Sequence, residues 1–153
     1  MVTTADAVAE KWRRARAEWE LADGDLGDLS RVMTAMIDAA QAVPVLRQLF
    51  AGTSHFTLCF STCAVHFYSD DIPAIEPRQG EYYGDRRAGL GYVVRNRPRG
   101  DVIAEASDAE SAIALLLAHL PANVGPATGA CRHAKHPGQL PPRYFRLERG
   151  QPA

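Results

Sequence analysis

An α+β domain is what the sequence predicts: an antiparallel sheet of about three to five strands packed against N-terminal helices and a C-terminal helix. Three observations carry that reading. Apolar residues recur at helical spacing through the N-terminal third, the periodicity falls to two from His55 onward, and a capped apolar helix follows the last extended stretch. With 153 residues, 46% hydrophobic and 23% charged, the chain has the size of one domain and an ordinary globular composition. The expected domain covers residues 1–127, and the Pro/Arg/His-rich residues 128–153 read as a loosely held tail.

The elements follow in order. Thr3 or Thr4 can cap a first helix that runs to about Leu21, with Val8, Trp12, Ala15 and Trp19 on one stripe. A second helix starts near Asp28 or Ser30 and turns Leu29, Val32, Met33, Met36, Ile37 and Ala40 inward. Pro44 suits the first turn of a third, shorter helix carrying Val45, Leu46, Leu49 and Phe50, with Gly52 placed to end it. From His55 to Cys63, Phe56, Leu58, Phe60 and Thr62 alternate with His55, Thr57, Cys59, Ser61 and Cys63, the pattern of a strand with one apolar face. Asp70 opens a long loop containing Pro77 and Gly80. Extended segments at Leu90–Arg95 and Asp101–Ala106 flank the hairpin-sized turn Asn96–Gly100. Ser107 and Glu110 form a capping-box pair ahead of a helix that buries Ile113, Leu116, Leu117 and Leu120 and stops at Pro121.

Composition removes several classes of function. The net charge of −1 supplies no field for a nucleic-acid backbone or an anionic membrane, and specific small ligands fit better. Met1 to Asp6 lack the basic-then-apolar pattern of a secretory signal, so a cytoplasmic protein is expected. The longest apolar run, Ala112–Leu120, is far too short for a bilayer of roughly 20 apolar residues. Three cysteines, Cys59, Cys63 and Cys131, fit free thiols in a reducing compartment better than a disulfide framework. No phosphate loop or dinucleotide fingerprint is present, and no cofactor is expected.

One segment carries a resemblance. Pro44-Val45-Leu46-Arg47 leads to Thr53-Ser54-His55 and then to Phe60-Ser61-Thr62-Cys63; Asp101–Ala106 follows later and continues through the helix to Pro121 and Gly125-Pro126-Ala127. This pattern, from about Pro44 to Ala127, resembles a bacterial family of unknown function whose members carry the description natural product biosynthesis protein. The resemblance implies a place in secondary metabolism and supplies no mechanism.

Candidate chemistry lies on the polar strand face. His55 and Cys63 are the usual pieces of thiol nucleophile chemistry, with Ser54 alongside, yet a straight strand would hold His55 and Cys63 roughly 26 Å apart. A half-exposed face with inert cysteines is the competing reading. Ser54-His55 is expected at a helix-to-strand corner, where the pair would either fix the turn or face a ligand, with Arg47 turning back as an anion anchor and Thr57 and Ser61 along the face. Cys131, His133 and His136, with Cys59, Cys63 and His66, lack paired knuckle spacing, so no metal is expected. Arg95, Arg97 and Arg99, with Arg86 and Arg87 upstream, concentrate positive charge at the hairpin, which is either a solvated turn or a site for a carboxylate, phosphate or acidic partner.

Two functions remain from these readings. The preferred one is an accessory protein of natural product biosynthesis that acts on or holds a small-molecule intermediate or a precursor peptide, working beside a partner enzyme of the same pathway. The rival is a noncatalytic recognition module that uses the hairpin edge and its arginines. A buried cavity beside His55 favours the first, and an open strand edge favours the second.

Overall fold

The computed structural model describes residues 1–20, 27–64, 68–69, 71–78 and 91–128. Helix α1 spans Thr4–Glu20 and α2 spans Gly27–Gln41. Thr3 caps α1 through a reciprocal arrangement. Its Oγ1 accepts from the Asp6 amide at 3.1 Å, while the Asp6 carboxylate accepts from the Thr3 amide at 2.9 Å. Val8, Trp12, Ala15 and Trp19 are the buried residues of α1, at the predicted spacing. The basic residues of α1 face outward in ion pairs, Arg13 and Arg14 with Glu10, and Arg16 with Glu20 and Asp38. The six apolar residues expected inside α2 are all buried.

Helix α3 is a single turn, Pro44–Arg47, shorter than the sequence predicts. Phe50 and Gly52 do not belong to it. They lie in β1 (Phe50–Ser54), which pairs antiparallel with β2 (Thr57–Ser61), so cross-strand hydrogen bonds prevail over the local helical pattern. The register Ser54↔Thr57 leaves His55 and Phe56 as a two-residue hairpin loop. His55 has a φ of 55°, the left-handed conformation that such loops demand. The single predicted strand from His55 to Cys63 is therefore half of a hairpin.

Strand β3 (Ala74–Pro77) occupies a stretch that the sequence assigns to a loop, β4 spans Tyr92–Arg95 and β5 spans Val102–Ala106. Among the described residues the sheet has five strands in the order β1-β2-β3-β4-β5, antiparallel throughout. Gly91 leads into β4 with a φ of 129°, and an added Cβ would lie 2.6 Å from the Ala106 carbonyl oxygen, so only glycine fits there. Helix α4 spans Ala109–Ala118. Its cap is Asp108, which accepts from the Ser111 amide at 2.8 Å; the Ser107–Glu110 box does not form because the helix starts one residue later than expected.

The three long helices cover one sheet face, as the fold class predicted. Leu58, Phe60, Ile75 and Val94 point into that layer and meet Trp12, Met33, Met36 and Leu116 in one core. The indole N–H of Trp12 donates to the Leu49 carbonyl at 3.0 Å, and the Tyr92 hydroxyl donates to the Val32 carbonyl at 3.0 Å, so both polar tips inside the core are satisfied. In α4, Ile113 and Leu116 are buried and Leu117 only partly so; Leu120, also partly buried, lies beyond the last residue of the helix, Ala118. No helix among the described residues is long and apolar enough to cross a membrane.

Candidate functional site

Side chains alternate along a strand, so Thr57, Cys59 and Ser61 of β2 point away from the helices. The polar face that the sequence placed toward a site or water is in fact largely buried: Cys59 and Ser61 have no exposure. Glu76 of β3 is 3% exposed on the same face. The register Leu58↔Ile75 sets Thr57 beside Glu76, and Ile75↔Val94 sets Arg95 diagonally across from it. Both neighbours use that proximity. The Thr57 hydroxyl donates to Glu76 Oε2 at 2.8 Å, and Arg95 Nε donates to Glu76 Oε1 at 2.8 Å. Farther along, Arg78 pairs with Glu105 of β5 at 2.7 Å.

Arg95 also reaches the turn. One of its terminal nitrogens donates to the Gly100 carbonyl at 2.8 Å. The Asn96 side chain accepts from the Asp101 amide at 3.0 Å, and the Gly100 amide donates to the Arg97 carbonyl at 2.9 Å. The turn is thus bonded to the sheet rather than merely tethered. Arg97 and Arg99 project from it, exposed, with Arg99 at a φ of 61° and no ion-pair partner for either among the described residues.

The predicted site residues divide. Thr57 and Arg95 come together, but through Glu76, which the sequence reading passed over. Arg97 lies next to them in the hairpin turn. His55 sits exposed at the tip of the β1–β2 hairpin, with Ser54 paired across the loop to Thr57, so the expected helix-to-strand corner is a strand-to-strand turn. Arg47 ends α3 at the opposite end of β1 from His55, and it lines a separate cavity of about 310 Å³ with Trp12 and the first turn of α1. Extended backbone between them rules out the anion anchor imagined for that corner. Ser61 is committed locally: its hydroxyl donates to the Cys63 carbonyl at 2.8 Å and accepts from the Cys63 amide at 3.1 Å. Cys63 is disulfide-bonded, so it is no nucleophile, and the expectation of three free thiols fails there. His66, Arg86, Arg87 and the Cys131–His136 segment lie outside the described residues.

Cys59 is the free cysteine among the described residues. Burial, and then the Glu76 carboxylate, push its thiol up to about 12, with Arg99 acting weakly the other way. A thiol held protonated in this way is unreactive at neutral pH. Native protein should therefore leave Cys59 unmodified by iodoacetamide near neutrality, while urea-unfolded protein is alkylated; fast labelling of the native fold would contradict the burial. Linkage gives the sign of the alkaline response. The ordinary thiol value is 9.0, so Cys59 leaves stability level below that pH and lowers it as pH rises from 9.0 toward about 12. The Tyr92 phenol, raised from 10.0 to about 12 by burial and then by Asp108, acts in the same direction.

On the helix layer, an open cleft of about 780 Å³ runs between α2 and α4. Its floor holds Tyr92, and Asp38, Asp108 and Glu110 stand at its border.

Compared with known proteins, the chain matches one family model over residues 6–131, described as a family of unknown function (DUF6193). No curated protein matches the chain, and no solved structure matches it.

Proposed function

We propose, from the premise that the chain belongs to this family of unknown function, DUF6193, that it is a noncatalytic recognition protein whose β4–β5 hairpin holds an acidic peptide segment. The observation that carries the reading is the pair Arg97 and Arg99, exposed and without ion-pair partners among the described residues, on a turn fixed by Arg95 and Asn96. A guanidinium held on a bonded turn loses less freedom on meeting a carboxylate than one on a loose loop. Val102, 45% exposed at the start of edge strand β5, offers an apolar contact beside the arginines.

Catalysis by a nucleophile has weaker support. Cys59 is buried and protonated, Cys63 is oxidised, and His55 stands exposed at a hairpin tip that does not line the cleft. Strand addition to β5 is also disfavoured, because the register shifts between Val94 and Arg95 and leaves a bulge at Ile103 that interrupts the edge. The sequence resemblance supplies the setting that we propose for this binding, bacterial natural product biosynthesis, with a precursor peptide as the held segment and a partner enzyme acting on it.

A glutamate-rich peptide titrated into isotope-labelled protein should shift the amides of Arg95 to Asp101. Replacing Arg97 and Arg99 together by Glu should weaken binding at least tenfold, about 1.4 kcal/mol or more, without changing the melting temperature. Equal binding by the variant, or shifts confined to other elements, would remove the hairpin from consideration.

A further inference from the structure

The α2–α4 cleft has a border of opposite charge to that of the hairpin turn. Ala35 and Ala39 of α2, with Val43 just beyond its end, form one wall, and Ile113, Ala114 and Leu117 of α4 form the other. Ala35 and Ala39 share one face of α2, Ala42 follows its last residue, and these small side chains leave the backbone open to close approach by another helix.

One residue of α4 adds to the same surface. After Ala112, Ile113 and Leu116 have packed inward, Leu117 of α4 remains partly exposed and lines the cleft. The sheet covers one side of α4 and α2 packs against another, so Leu117 meets the opening between the two helices. The charges at the cleft border then select the occupant. Asp38, Asp108 and Glu110 are acidic, and no lysine, arginine or histidine is among the described lining residues. Arg16 offsets only Asp38, at 2.6 Å.

We propose that this cleft docks a basic amphipathic helix of a partner protein, with an apolar stripe that enters between α2 and α4 and flanking lysines or arginines that meet the three carboxylates. The ten residues of α4 extend about 15 Å, enough to face two to three turns of a partner helix. The protein then holds an acidic segment at the hairpin and a basic one on its helix layer, which makes it a bridge between two partners rather than a carrier of one. The cleft does not depend on the hairpin reading, since it uses different residues and a ligand of the opposite charge.

The test uses the full chain, isotope-labelled, and a synthetic leucine/lysine helix of about four turns. A leucine/glutamate peptide of the same pattern is the control. The lysine peptide should give saturable shifts at Ala39, Ala114 and Leu117. Glu110→Lys and, separately, Ala114→Arg should each weaken its binding at least tenfold while the melting temperature holds. Equal binding of the glutamate peptide, shifts centred on Arg97 and Arg99, unchanged affinity in both variants, or no saturation up to about 1 mM would each overturn the proposal.

Discussion

Phe60→Ala is expected to lower the free energy of unfolding by roughly 3–5 kcal/mol in urea denaturation. The ring is 1% exposed in the centre of β2 and lies 6.1 Å from the Trp12 ring at an angle of 46°. Trp12 cannot swing to fill the hole without breaking the bond from its indole N–H to the Leu49 carbonyl. Much of the cavity should therefore remain, and cavity volume is what drives such losses to the upper end of the range. Trp12 fluorescence reports the transition directly. Thr62→Ala, at a half-buried position beyond the end of β2, is the mild comparison. A loss below about 1 kcal/mol at Phe60 would mean that β2 presents its other face to the helices, because a slip of one residue exchanges the two faces.

Glu76→Ala is the second large effect, about 3 kcal/mol. The Glu76 side chain is 4% exposed and that of Arg95 25% exposed, so removing the carboxylate leaves a largely desolvated guanidinium and takes away the acceptor for Thr57. The quarter of Arg95 that remains in water keeps the loss at the low end for a broken buried pair. Replacing Glu76 and Arg95 together by Met should recover a large part of it, since the isolated charge is the main cost. If the single variant proves no worse than the double, the pair contributes little. The hairpin supplies a second readout. Arg95 joins Glu76 to the Gly100 carbonyl, so losing Glu76 should also weaken acidic-peptide binding although Arg97 and Arg99 are untouched.

The helices were legible because their signal is local. Spacing near four placed Val8, Trp12, Ala15 and Trp19 on one stripe, and burial follows that stripe residue by residue. Strands β1 and β3 were not legible, because pairing partners decide them. Phe50-Ala51-Gly52-Thr53-Ser54 has no clean alternation, and Ala74–Pro77 is a four-residue piece preceded by Pro73 and ending in a proline. The polar face of β2 misled for a related reason. Small residues such as Cys59 and Ser61 can be buried when their polar atoms bond locally, so alternation marks two faces without saying that one meets water. Thr57 and Arg95 were chosen for their chemistry, and both bond to Glu76. Their organiser escaped because it stands in a presumed loop. The usable signal was a lone glutamate set in the apolar run Ile72-Pro73-Ala74-Ile75, where a charge implies a bonded partner. His55 misled in the opposite direction: a histidine before a phenylalanine in an extended pattern looked like a strand start, whereas its left-handed backbone makes it a loop residue.

The strictly sequential strand order has a kinetic meaning. Among the described residues each strand lies beside its neighbour in the chain, so this sheet can grow one strand pair at a time, with none of these strands waiting to be threaded between two others. The β1–β2 unit, closed by only two residues, belongs to the microsecond class of events and can form as soon as both strands have left the ribosome. The slower contacts are those between layers, such as the bond from Trp12 to Leu49, 37 positions apart. Helix α1 emerges before β1 during synthesis, so its two tryptophans wait for that strand to be covered, and the nascent chain is exposed to aggregation in this interval.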